Sequence, residues 1–544
     1  MTIPGLMMHQ PLLTSAIIDH AARNHGNVEV VSRSVEGPIH RTTYGAVRKR
    51  AARAAHALRR LGMQPGDRVA TLAWNTWRHL ELFYAIAGIG CVCHTINPRL
   101  FQDQIAYIAN HAGDRLIFVD LTFLPMVATI CAKLEKPPIV VPLTDRAHLP
   151  ADADPTLLCY EELIAAEPDD IDWPQFDENS AAGLCYTSGT TGNPKGALFS
   201  HRATVLHALS FLVLKDGRLT RSATALVVVP MFHVNAWGFP FMLALAGTKM
   251  VLPGPAYDPQ SIHALLESEQ VTYAAGVPTV WLMLLQHLQA TGAKLNHLRT
   301  IVSGGAAPAP AMIQAIEAQG VEFLHGWGMT ELSSGASITS LTAAHAALPP
   351  EQRLARQLKQ GQAAFGYEFK LLDSEGRSVP HDGRSQGELV ARGNAVVRAY
   401  FRMPELNDSA FCEGGWFRTG DVCTIDDEGY IQVTDRAKDM IKSGGEWIPS
   451  IELEGIAMGQ ATIAQAAVIA LPHDKWGERP LLVVVLRPGT QPDKAAILDY
   501  LRPRVAKWWM PDDVVFVETL PLTATGKVSK ATLRAQFKEH RLPA

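Results

Sequence analysis

Apolar side chains recur at three- and four-residue spacing between positions 44 and 61, which predicts an amphipathic helix that ends before Gly62. The residues on its apolar side are Val47, Ala51, Ala54, Leu58 and Leu61. The residues on its basic side are Arg48, Lys49, Arg50, Arg53, Arg59 and Arg60. A basic amphipathic helix can lie on a membrane surface. A basic face in contact with solvent is the simpler interpretation, and we favour it.

Short apolar runs alternate with helical patterns after this helix. A strand, a helix and a second strand are predicted at Arg68–Ala73, His79–Gly88 and Val92–Ile96. Further strands are predicted at Leu116–Val119, Ala225–Val229, Lys249–Leu252, Tyr273–Gly276 and Thr300–Val302. This alternation indicates parallel sheets covered by helices. Residues 135–160 and 341–362 are rich in Pro or Gln, and we expect them to form irregular surface insertions.

The pattern changes toward the C-terminus. From Gly387 the predicted strands shorten and turn signals appear, which favours an antiparallel β subdomain. Beyond Asp435, strands Ala467–Leu471, Leu481–Leu486 and Val514–Glu518 and a helix Lys494–Leu501 are predicted. About 110 residues suffice for a small α+β domain. We therefore expect an α/β chain with a large N-terminal domain, 1–434, and a small C-terminal domain, 435–544, that meet at Asp435-Arg436.

Residues 223–247 contain no Asp, Glu, Lys or Arg and could be mistaken for a membrane span. Pro230, His233, Asn235 and Pro240 interrupt the segment, and a spanning helix would have to satisfy their polar groups and absorb two breaks. A buried strand, a polar turn and a buried helix fit the sequence better. We expect no transmembrane segment.

Composition limits the class of protein. The chain is 47% hydrophobic and 19% charged, which is typical of globular proteins. Its 544 residues are enough for two or more domains. A net charge of −4 does not favour a nucleic-acid partner. The seven cysteines are dispersed, and the first twenty residues lack the basic start of a secretory signal. We expect reduced thiols and a cytoplasmic location.

Residues 186–196 read YTSGTTGNPKG and indicate a phosphate-binding loop. Glycines let backbone N–H groups approach an anion, hydroxyl side chains add donors, and Lys195 adds a positive charge. In kinases and GTPases of the P-loop class, a Gly precedes the Lys and a Ser or Thr follows it. Here Pro194 precedes Lys195 and Gly196 follows it. The loop is therefore predicted to bind nucleotide phosphates outside the P-loop class.

Several further motifs occur in a fixed order after this loop. They are GWGMTE at 326–331, WFRTGD at 416–421, DRAKDMIKSGGEWI at 435–448 and TATGK at 523–527. Together with the phosphate loop they resemble the signatures of the adenylate-forming superfamily, which contains acyl-CoA synthetases, peptide-synthetase adenylation domains and luciferases. The segment PMFHVNAWG at 230–238 is most similar to bacterial fatty-acid–CoA and 3-methylmercaptopropionate–CoA ligases. The resemblance covers most of the chain.

The resemblance implies that ATP and a carboxylate form an acyl-adenylate with the help of Mg²⁺. Lys527 would bridge the carboxylate and the α-phosphate as a catalytic residue, with His233 and Glu331 beside it, and Glu331 and Thr190 would bind the metal. Asp421 and Arg436 would bind the ribose, while Trp327 stands where the family more often has Tyr. The residues implied for ATP or AMP binding are Thr187, Ser188, Gly189, Thr190, Thr191, Gly192, Lys195, Gly305, Ala306, Ala307, Gly326, Trp327, Gly328, Met329, Thr330, Asp421 and Arg436.

The second half-reaction implied by the resemblance is attack of coenzyme A on the adenylate. It follows rotation of the small domain about Asp435-Arg436. The residues implied for CoA binding are Lys442, Ser443, Gly444, Gly445, Glu446 and Trp447. The residues implied for the acyl pocket are His233, Val234, Asn235, Trp237, Gly304, Gly328 and Ser333. Relatives carry a gating Trp at the position of Trp237, although a core aromatic residue is the alternative here.

Several alternatives stay open. The favoured substrate is a medium- or long-chain fatty acid, followed by a short thioether acid such as 3-methylthiopropionate and then by an aryl acid. An acceptor other than CoA, a luciferase-like oxygenase and a nucleotide sensor share the expected fold. Gly383–Gly387 match the serine-hydrolase pattern G-x-S-x-G, but a strand rather than a helix is predicted after it. Similarity to the bacterial ligases also implies a homodimer.

Overall fold

A computed structural model describes residues 2–187, 193–214, 217–444, 446–523 and 527–542. The strands in the first part of the chain are β1 Glu29–Arg33, β2 Ile39–Thr43, β3 Arg68–Leu72, β4 Val92–Thr95, β5 Asp114–Val119, β6 Ile139–Pro142, β7 Ala181–Tyr186, β8 Gly196–Ser200, β9 Thr224–Val227, β10 Lys249–Leu252, β11 Tyr273–Gly276, β12 Thr300–Ser303, β13 Glu322–Met329, β14 Ser334–Ile338 and β15 Gln362–Ala363. The later strands are β16 Tyr367–Leu372, β17 Gly387–Gly393, β18 Phe411–Cys412, β19 Trp416–Ile425, β20 Ile431–Arg436, β21 Ile441–Ser443, β22 Glu446–Ile448, β23 Ile463–His473, β24 Gly477–Leu486 and β25 Asp513–Phe516.

Helices cover these strands. They are α1 Thr14–His25, α2 Tyr44–Arg60, α3 Trp77–Gly88, α4 Gln102–Ala112, α5 Leu124–Cys131, α6 Tyr160–Ala165, α7 His201–Leu214, α8 Val234–Trp237, α9 Phe239–Ala246, α10 Pro259–Ser268, α11 Pro278–Thr291, α12 Pro310–Glu317, α13 Ala343–Ala346, α14 Pro350–Leu358, α15 Asn407–Ala410, α16 Ser450–Ala457, α17 Lys494–Leu501 and α18 Lys530–Gln536. Short 3₁₀ turns lie at Leu121–Phe123, Arg146–His148, Thr330–Leu332, Pro404–Leu406 and Lys507–Trp509.

Two largely parallel sheets form the first part of the chain, as the alternating pattern predicts. One follows the order β15-β14-β13-β12-β11-β9-β10-β1-β2, and the other follows β6-β5-β3-β4-β7-β8. Helix α3 is buried along its entire length, because the chain surrounds it on every side. The predicted amphipathic helix is α2, which begins after Thr43, whose side chain accepts a hydrogen bond from the amide of Ala46.

Two smaller sheets follow. The third sheet contains β16 to β20 and is antiparallel throughout, so the antiparallel subdomain begins at Tyr367, earlier than the predicted Gly387. The fourth contains β21 to β25 and includes the three strands predicted beyond Asp435. Strand β20 ends at Arg436 in the third sheet and β21 begins at Ile441 in the fourth. The change of sheet therefore lies just after the expected boundary.

The two predicted insertions are wrong in part. Residues 135–160 contain β6, and residues 341–362 contain α13 and α14. Strand β6 pairs with β5 at the edge of a sheet, and α14 packs against β13. In both places tertiary packing stabilises elements that the Pro- and Gln-rich local sequence does not signal.

The apolar segment 223–247 folds as predicted into a strand, a turn and a helix, namely β9, α8 and α9. Helix α9 is short and buried against α1 and α7. Within the described part of the chain, no helix combines the length and the apolar character needed to cross a membrane.

Candidate active site

The two ends of the predicted phosphate loop lie side by side. Strand β7 ends at Tyr186 and β8 begins at Gly196, and the amide of Thr187 donates to the carbonyl of Lys195 at 2.9 Å. Ser188, Gly189, Thr190, Thr191 and Gly192 lie outside the described residues. The antiparallel pairing of β7 and β8 thus fixes where the loop starts and ends.

Lys195 and Glu331 both contact Tyr400. The Lys195 ammonium is 5.0 Å from the centre of the Tyr400 ring, and the Tyr400 hydroxyl donates to Oε1 of Glu331 at 2.7 Å. Burial and the Glu331 carboxylate raise the pKa of Tyr400, so the phenol keeps its proton. The sequence analysis did not identify Tyr400, because only the fold brings it between two motifs more than a hundred residues apart.

Asp421 is buried and held from two sides. The indole N–H of Trp327 donates to its Oδ2 atom at 2.8 Å, and Nε of Arg436 lies 2.5 Å from Oδ1. Asp421 and Arg436 are direct cross-strand partners on β19 and β20. Strand pairing and one indole therefore bring together three residues that the sequence analysis assigned to nucleotide binding.

Lys527 lies close to residues of the large N-terminal part of the chain. A β-carbon on Gly305 would be 3.5 Å from its Cε atom. Burial, and then the positive charge of Arg436, lower the pKa of Lys527 to about 8, whereas Asp421 and Glu331 act in the opposite direction. A lysine near two carboxylates and an arginine, far along the chain from each, is typical of a site that binds anions.

His233 precedes the turn that forms α8. Burial and the nearby charge of Lys527 lower the pKa of His233 to about 4, so its imidazole is neutral at neutral pH. The four residues from Val234 to Trp237 all have positive φ angles, between 44° and 53°. The Trp237 ring lies against the glycine-rich segment after β12, since a β-carbon on Gly304 would be 3.3 Å from its Cη2 atom.

Small residues allow three backbone segments to approach one another here. A β-carbon on Gly304 would be 3.0 Å from the carbonyl oxygen of Gly326, and one on Gly328 would overlap the carbonyl oxygen of Ser334. Ala306 and Ala307 are exposed just beyond Gly305. The remaining predicted residues of this region, Met329, Thr330 and Ser333, follow along β13 and its 3₁₀ turn.

The segment predicted to bind CoA is a hairpin of the fourth sheet. Strands β21 and β22 pair in register, with Lys442 opposite Trp447 and the Lys442 ammonium 5.5 Å from the Trp447 ring centre. Gly444 has a φ of +60° and packs against the ring of Trp476, where a β-carbon would be 2.7 Å from the indole. Gly445 and the side chain of Glu446 lie outside the described residues.

The G-x-S-x-G match is a surface turn. The Ser385 hydroxyl donates to Oδ2 of Asp382 at 2.8 Å, and β17 follows directly. A nucleophile elbow needs a strand before the serine and a helix after it. The local structure therefore lacks the geometry of a hydrolase nucleophile.

Comparison with known proteins decides the family. The sequence model of the AMP-binding enzyme family matches residues 18–401, and the sequence model of the AMP-binding enzyme C-terminal domain matches residues 452–527. The chain belongs to the AMP-binding enzyme family. The matched ranges contain the phosphate loop, Glu331 and Lys527, whereas Asp421, Arg436 and the hairpin of β21 and β22 lie between the two ranges.

Relatives of this AMP-binding enzyme are similar over nearly their whole length. A 3-methylmercaptopropionyl-CoA ligase of Ruegeria lacuscaerulensis is 49% identical, with 98% of this chain and 99% of the relative covered. A medium-chain-fatty-acid–CoA ligase of Ectopseudomonas oleovorans is 46% identical, with coverages of 98% and 97%. The crystal structure of the anthranilate CoA ligase AuaEII shares the fold, with a TM-score of 0.86, 24% identity and coverages of 97% and 98%.

The protein is thus an AMP-forming acyl-CoA ligase, an enzyme that uses ATP and CoA. The alternatives of an oxygenase and of a nucleotide sensor are set aside by these similarities. The parallel-rich N-terminal region and the antiparallel sheets that follow agree with the fold expected of such ligases.

Proposed function

We propose that this AMP-forming CoA ligase activates an apolar monocarboxylic acid, with a medium- or long-chain fatty acid as the favoured substrate. The observation that carries the proposal is the placement of Lys527 against Gly305, near Asp421 and Glu331. These groups come from three separate motifs, and the lowered pKa of Lys527 marks a cation removed from water. An ammonium in this position suits a reaction that joins two anions.

The nucleotide is bound by residues on both sides of this lysine. Asp421, oriented by Trp327 and Arg436, accepts hydrogen bonds from the ribose hydroxyls. The segment from Gly305 to the exposed residues Ala306 and Ala307 provides a thin wall for the adenine, and Trp327 provides an aromatic surface. Lys195 and the loop 188–192 bind the β- and γ-phosphates. Glycines and hydroxyl side chains make this loop suited to an anion.

Mg²⁺ is proposed to be held by Glu331 together with Thr190. Mg²⁺ takes oxygen ligands and commonly binds through one or two carboxylates plus substrate phosphates. Glu331 supplies such a carboxylate, which Tyr400 orients from one side while Lys195 lies across the same ring. The donor set therefore fits the ion. Bound there, the metal would offset the negative charge of the triphosphate.

In the first half-reaction the carboxylate oxygen bonds to the α-phosphorus of ATP, and the bond to pyrophosphate breaks. The carboxylate is already ionised at neutral pH, so the chain need not remove a proton. Lys527 offsets the negative charge where the substrate carboxylate meets the α-phosphate of ATP. This interaction is strongest in the transition state, so it lowers the activation barrier more than tighter binding of the acid or of ATP would. Neutral His233, which lies near Lys527, is proposed to separate this centre from the acyl site without adding a competing positive charge.

In the second half-reaction the CoA sulfur attacks the acyl carbonyl and AMP leaves. The hairpin of β21 and β22 is proposed to line the path of the pantetheine arm once the small domain, 435–544, rotates about Asp435-Arg436. The change of sheet between Arg436 and Ile441 supports a boundary at this point. We propose that the orientation that places Lys527 beside Gly305 is the one used for adenylation.

The acid is proposed to bind beside α8 and β14. The side chains from His233 to Trp237 and from Ser333 to Ala336 carry no charged group. A second carboxylate on the substrate would find no cation among them, which favours a monocarboxylic acid. The 46% identical medium-chain ligase supports a fatty acid. The 49% identical relative supports 3-methylthiopropionate as the second candidate.

We also propose a cytoplasmic homodimer. All seven cysteines lie among the described residues and are free thiols, as expected in a reducing compartment. The N-terminal arm exposes Ile3, Leu6, Met7 and Met8 almost completely, and a second copy of the chain could cover these apolar side chains. Sedimentation of the purified protein tests the dimer directly. A monomer at micromolar concentration would contradict it.

The function is tested by pyrophosphate release with ATP, Mg²⁺ and a panel of acids, with and without CoA. The panel comprises butanoate, octanoate, palmitate, 3-methylthiopropionate and benzoate, and the products are identified by mass. We expect an acyl-CoA thioester and AMP from an aliphatic acid. Preference for benzoate would contradict the proposed substrate class, and an adenylate that never reaches CoA would indicate another acceptor.

A further inference from the structure

The turn from Val234 to Trp237 has a backbone conformation that side chains oppose. Its φ angles are 44°, 48°, 49° and 53°, and the ψ angles of Asn235 and Ala236 are also near 43°, which is left-handed helical. In this conformation a β-carbon crowds the following carbonyl, and the branched side chain of Val234 makes the crowding worse. Four such residues in a row persist only where neighbouring groups hold them in place.

Asn235 is the residue best placed to hold the turn. Asn tolerates the left-handed region better than most residues with a β-carbon. Its side chain faces β7 and not the proposed acid site. Its Oδ1 atom lies 3.6 Å from the sulfur of Cys185, and its Nδ2 atom lies 3.2 Å from where a β-carbon on Gly183 would be. The absence of a side chain at Gly183 leaves the space that the amide occupies.

Cys185 strengthens the same attachment. The backbone N–H groups of Val234 and Asn235 are directed at its sulfur, and the Thr95 hydroxyl lies 3.2 Å from the same atom. The turn is therefore fixed to β7 through backbone and side chain together. Strand β7 in turn leads into the phosphate loop at Thr187.

The other end of the turn carries Trp237. Its indole lies against Gly304, which also contacts the carbonyl of Gly326. Gly238 follows with a φ of +77° and packs against the ring of His207, where a β-carbon would be 2.8 Å from Nδ1. A right-handed turn between the same two ends would direct the Trp237 side chain elsewhere, because the handedness sets the direction of each Cα–Cβ bond.

We propose that Asn235 is a positioning residue that sets which acids the enzyme accepts. By keeping the turn left-handed, it holds Trp237 against Gly304 and thereby fixes the wall of the acid site. The proposal rests on the proposed function, because it needs a carboxylic acid bound beside Trp237. It assigns Asn235 a role in acid selection without direct contact with the acid, unlike the pocket-lining role that the sequence analysis gave it.

Two substitutions at Asn235 separate backbone handedness from the loss of the amide. Both Asn235→Ala and Asn235→Gly remove the side-chain amide, but only Gly adopts the left-handed conformation without strain. Pyrophosphate release is measured with octanoate and butanoate, and KM and kcat are obtained for each acid and for ATP. The ratio of kcat/KM for the two acids reports the shape of the site, which a general loss of folded protein would not alter.

For Asn235→Ala we expect KM for octanoate to rise about tenfold. The ratio of kcat/KM for octanoate to that for butanoate should fall by a similar factor, because one methylene of contact in an apolar pocket changes discrimination on about this scale. KM for ATP should stay within about twofold, and Asn235→Gly should keep the acid ratio within about threefold of the unaltered enzyme. An unchanged acid ratio in Asn235→Ala would overturn the proposal. An equal loss in both variants would also overturn it, because the contact of the amide with β7, and not the left-handed preference of residue 235, would then set the acid ratio.

Cys185→Ala provides a second test that does not depend on the folding of the Asn235 variants. It removes the sulfur that faces the turn and should shift the acid ratio in the same direction. Cys91→Ala is the matched control, because Cys91 is also buried and donates one hydrogen bond, to the carbonyl of Gln64. Cys91 lies just before the start of β4, whereas Thr95, which contacts Cys185, lies at its end. Equal acid ratios in the two cysteine variants would count against the proposal.

The unaltered enzyme distinguishes this proposal from the proposed function. If it releases pyrophosphate with none of the acids, the proposed function fails and with it the premise of this inference. If it activates an aliphatic acid and the Asn235 and Cys185 variants keep its acid ratio, only the positioning role fails. Melting temperatures measured in parallel show that each variant compared is folded.

Discussion

The indole N–H of Trp327 donates to Oδ2 of Asp421 across 2.8 Å, while Arg436 pairs with the other oxygen of the same carboxylate. Trp327 stands where the family more often has Tyr, and its polar contact in this protein is the hydrogen bond to Asp421. The ring proposed to stack on adenine also orients the carboxylate proposed to bind the ribose, so one residue would contribute to both parts of the proposed nucleoside site.

Trp327→Phe should therefore weaken ATP binding while keeping an aromatic surface. The change leaves one oxygen of a buried carboxylate without its donor, which costs about 1–3 kcal/mol. We expect KM for ATP to rise about tenfold, with a smaller change in KM for the acid. Steady-state pyrophosphate release at varied ATP measures the effect.

Trp416→Phe is the control for this prediction. Trp416 lies on the same strand as Asp421, but its ring packs against Lys370 and Arg392 at the surface of the third sheet. KM for ATP should be nearly unchanged in this variant. A similar rise in both variants would show that a loss of strand stability, and not the hydrogen bond to Asp421, explains the result.

Lys527→Ala should abolish most adenylation while leaving ATP affinity nearly intact. Removing one preorganised charge from a developing anionic centre costs on the order of 10²–10³ in kcat. Single-turnover formation of the adenylate measures the chemical step, and equilibrium binding of ATP measures the affinity. Lys494→Ala, which removes a half-exposed partner of Asp513 in the same domain, is the control. An undiminished adenylation rate in Lys527→Ala would reject the assignment.

The lowered pKa of Lys527 predicts a pH dependence of the first half-reaction. Below a pKa of about 8 the ammonium is charged and can offset the anions, and above it the charge is lost. We expect kcat/KM for pyrophosphate release to fall as the pH rises through about 8 in the free enzyme. The guanidinium of Lys527→Arg stays charged at every pH tested. Any residual activity of that variant should lack the alkaline decline, and the same decline in both enzymes would assign it to another group.

Much of the fold could be predicted because its strands are short, apolar and separated by clear helical patterns. The predicted strands Lys249–Leu252 and Tyr273–Gly276 and the helix Lys494–Leu501 agree with the structure at both ends. Helices α13 and α14 were missed because α14 is stabilised by packing against the distant strand β13, and α13 packs against α14. Local periodicity carries no information about such contacts.

The site was predictable only where residues lie within motifs. Asp421, Arg436 and Lys527 were proposed as site residues from their motifs, and the fold brings them near one another. Tyr400 was missed because its position depends on the approach of two separate segments. The left-handed turn at Val234–Trp237 was also missed, since Val, Asn, Ala and Trp give no local signal for four positive φ angles in succession.

Tyr400→Phe should weaken the proposed metal site without removing the ring beside Lys195. The variant loses the hydroxyl that donates to Glu331, so the carboxylate is less firmly oriented. We expect the Mg²⁺ concentration for half-maximal activity to rise about threefold to tenfold, as for loss of an outer-shell partner of a metal ligand. Tyr430→Phe, which loses a similar hydrogen bond to the carbonyl of Ser340, is the control. An unchanged Mg²⁺ requirement in Tyr400→Phe would argue against Glu331 as the metal ligand.

Glu81→Ala should destabilise the N-terminal region more than any surface ion pair does. Glu81 is fully buried on α3, where its carboxylate accepts hydrogen bonds from Nε of Arg50 at 2.7 Å and from the Tyr160 hydroxyl at 2.8 Å. Removing one partner of a buried pair costs about 3–5 kcal/mol, because the remaining groups stay buried without it. Glu368→Ala breaks an exposed pair with Arg392 and should cost at most about 1 kcal/mol. Thermal melting of the two variants makes the comparison, and equal shifts would mean that Arg50 and Tyr160 find other partners or water when the carboxylate is lost.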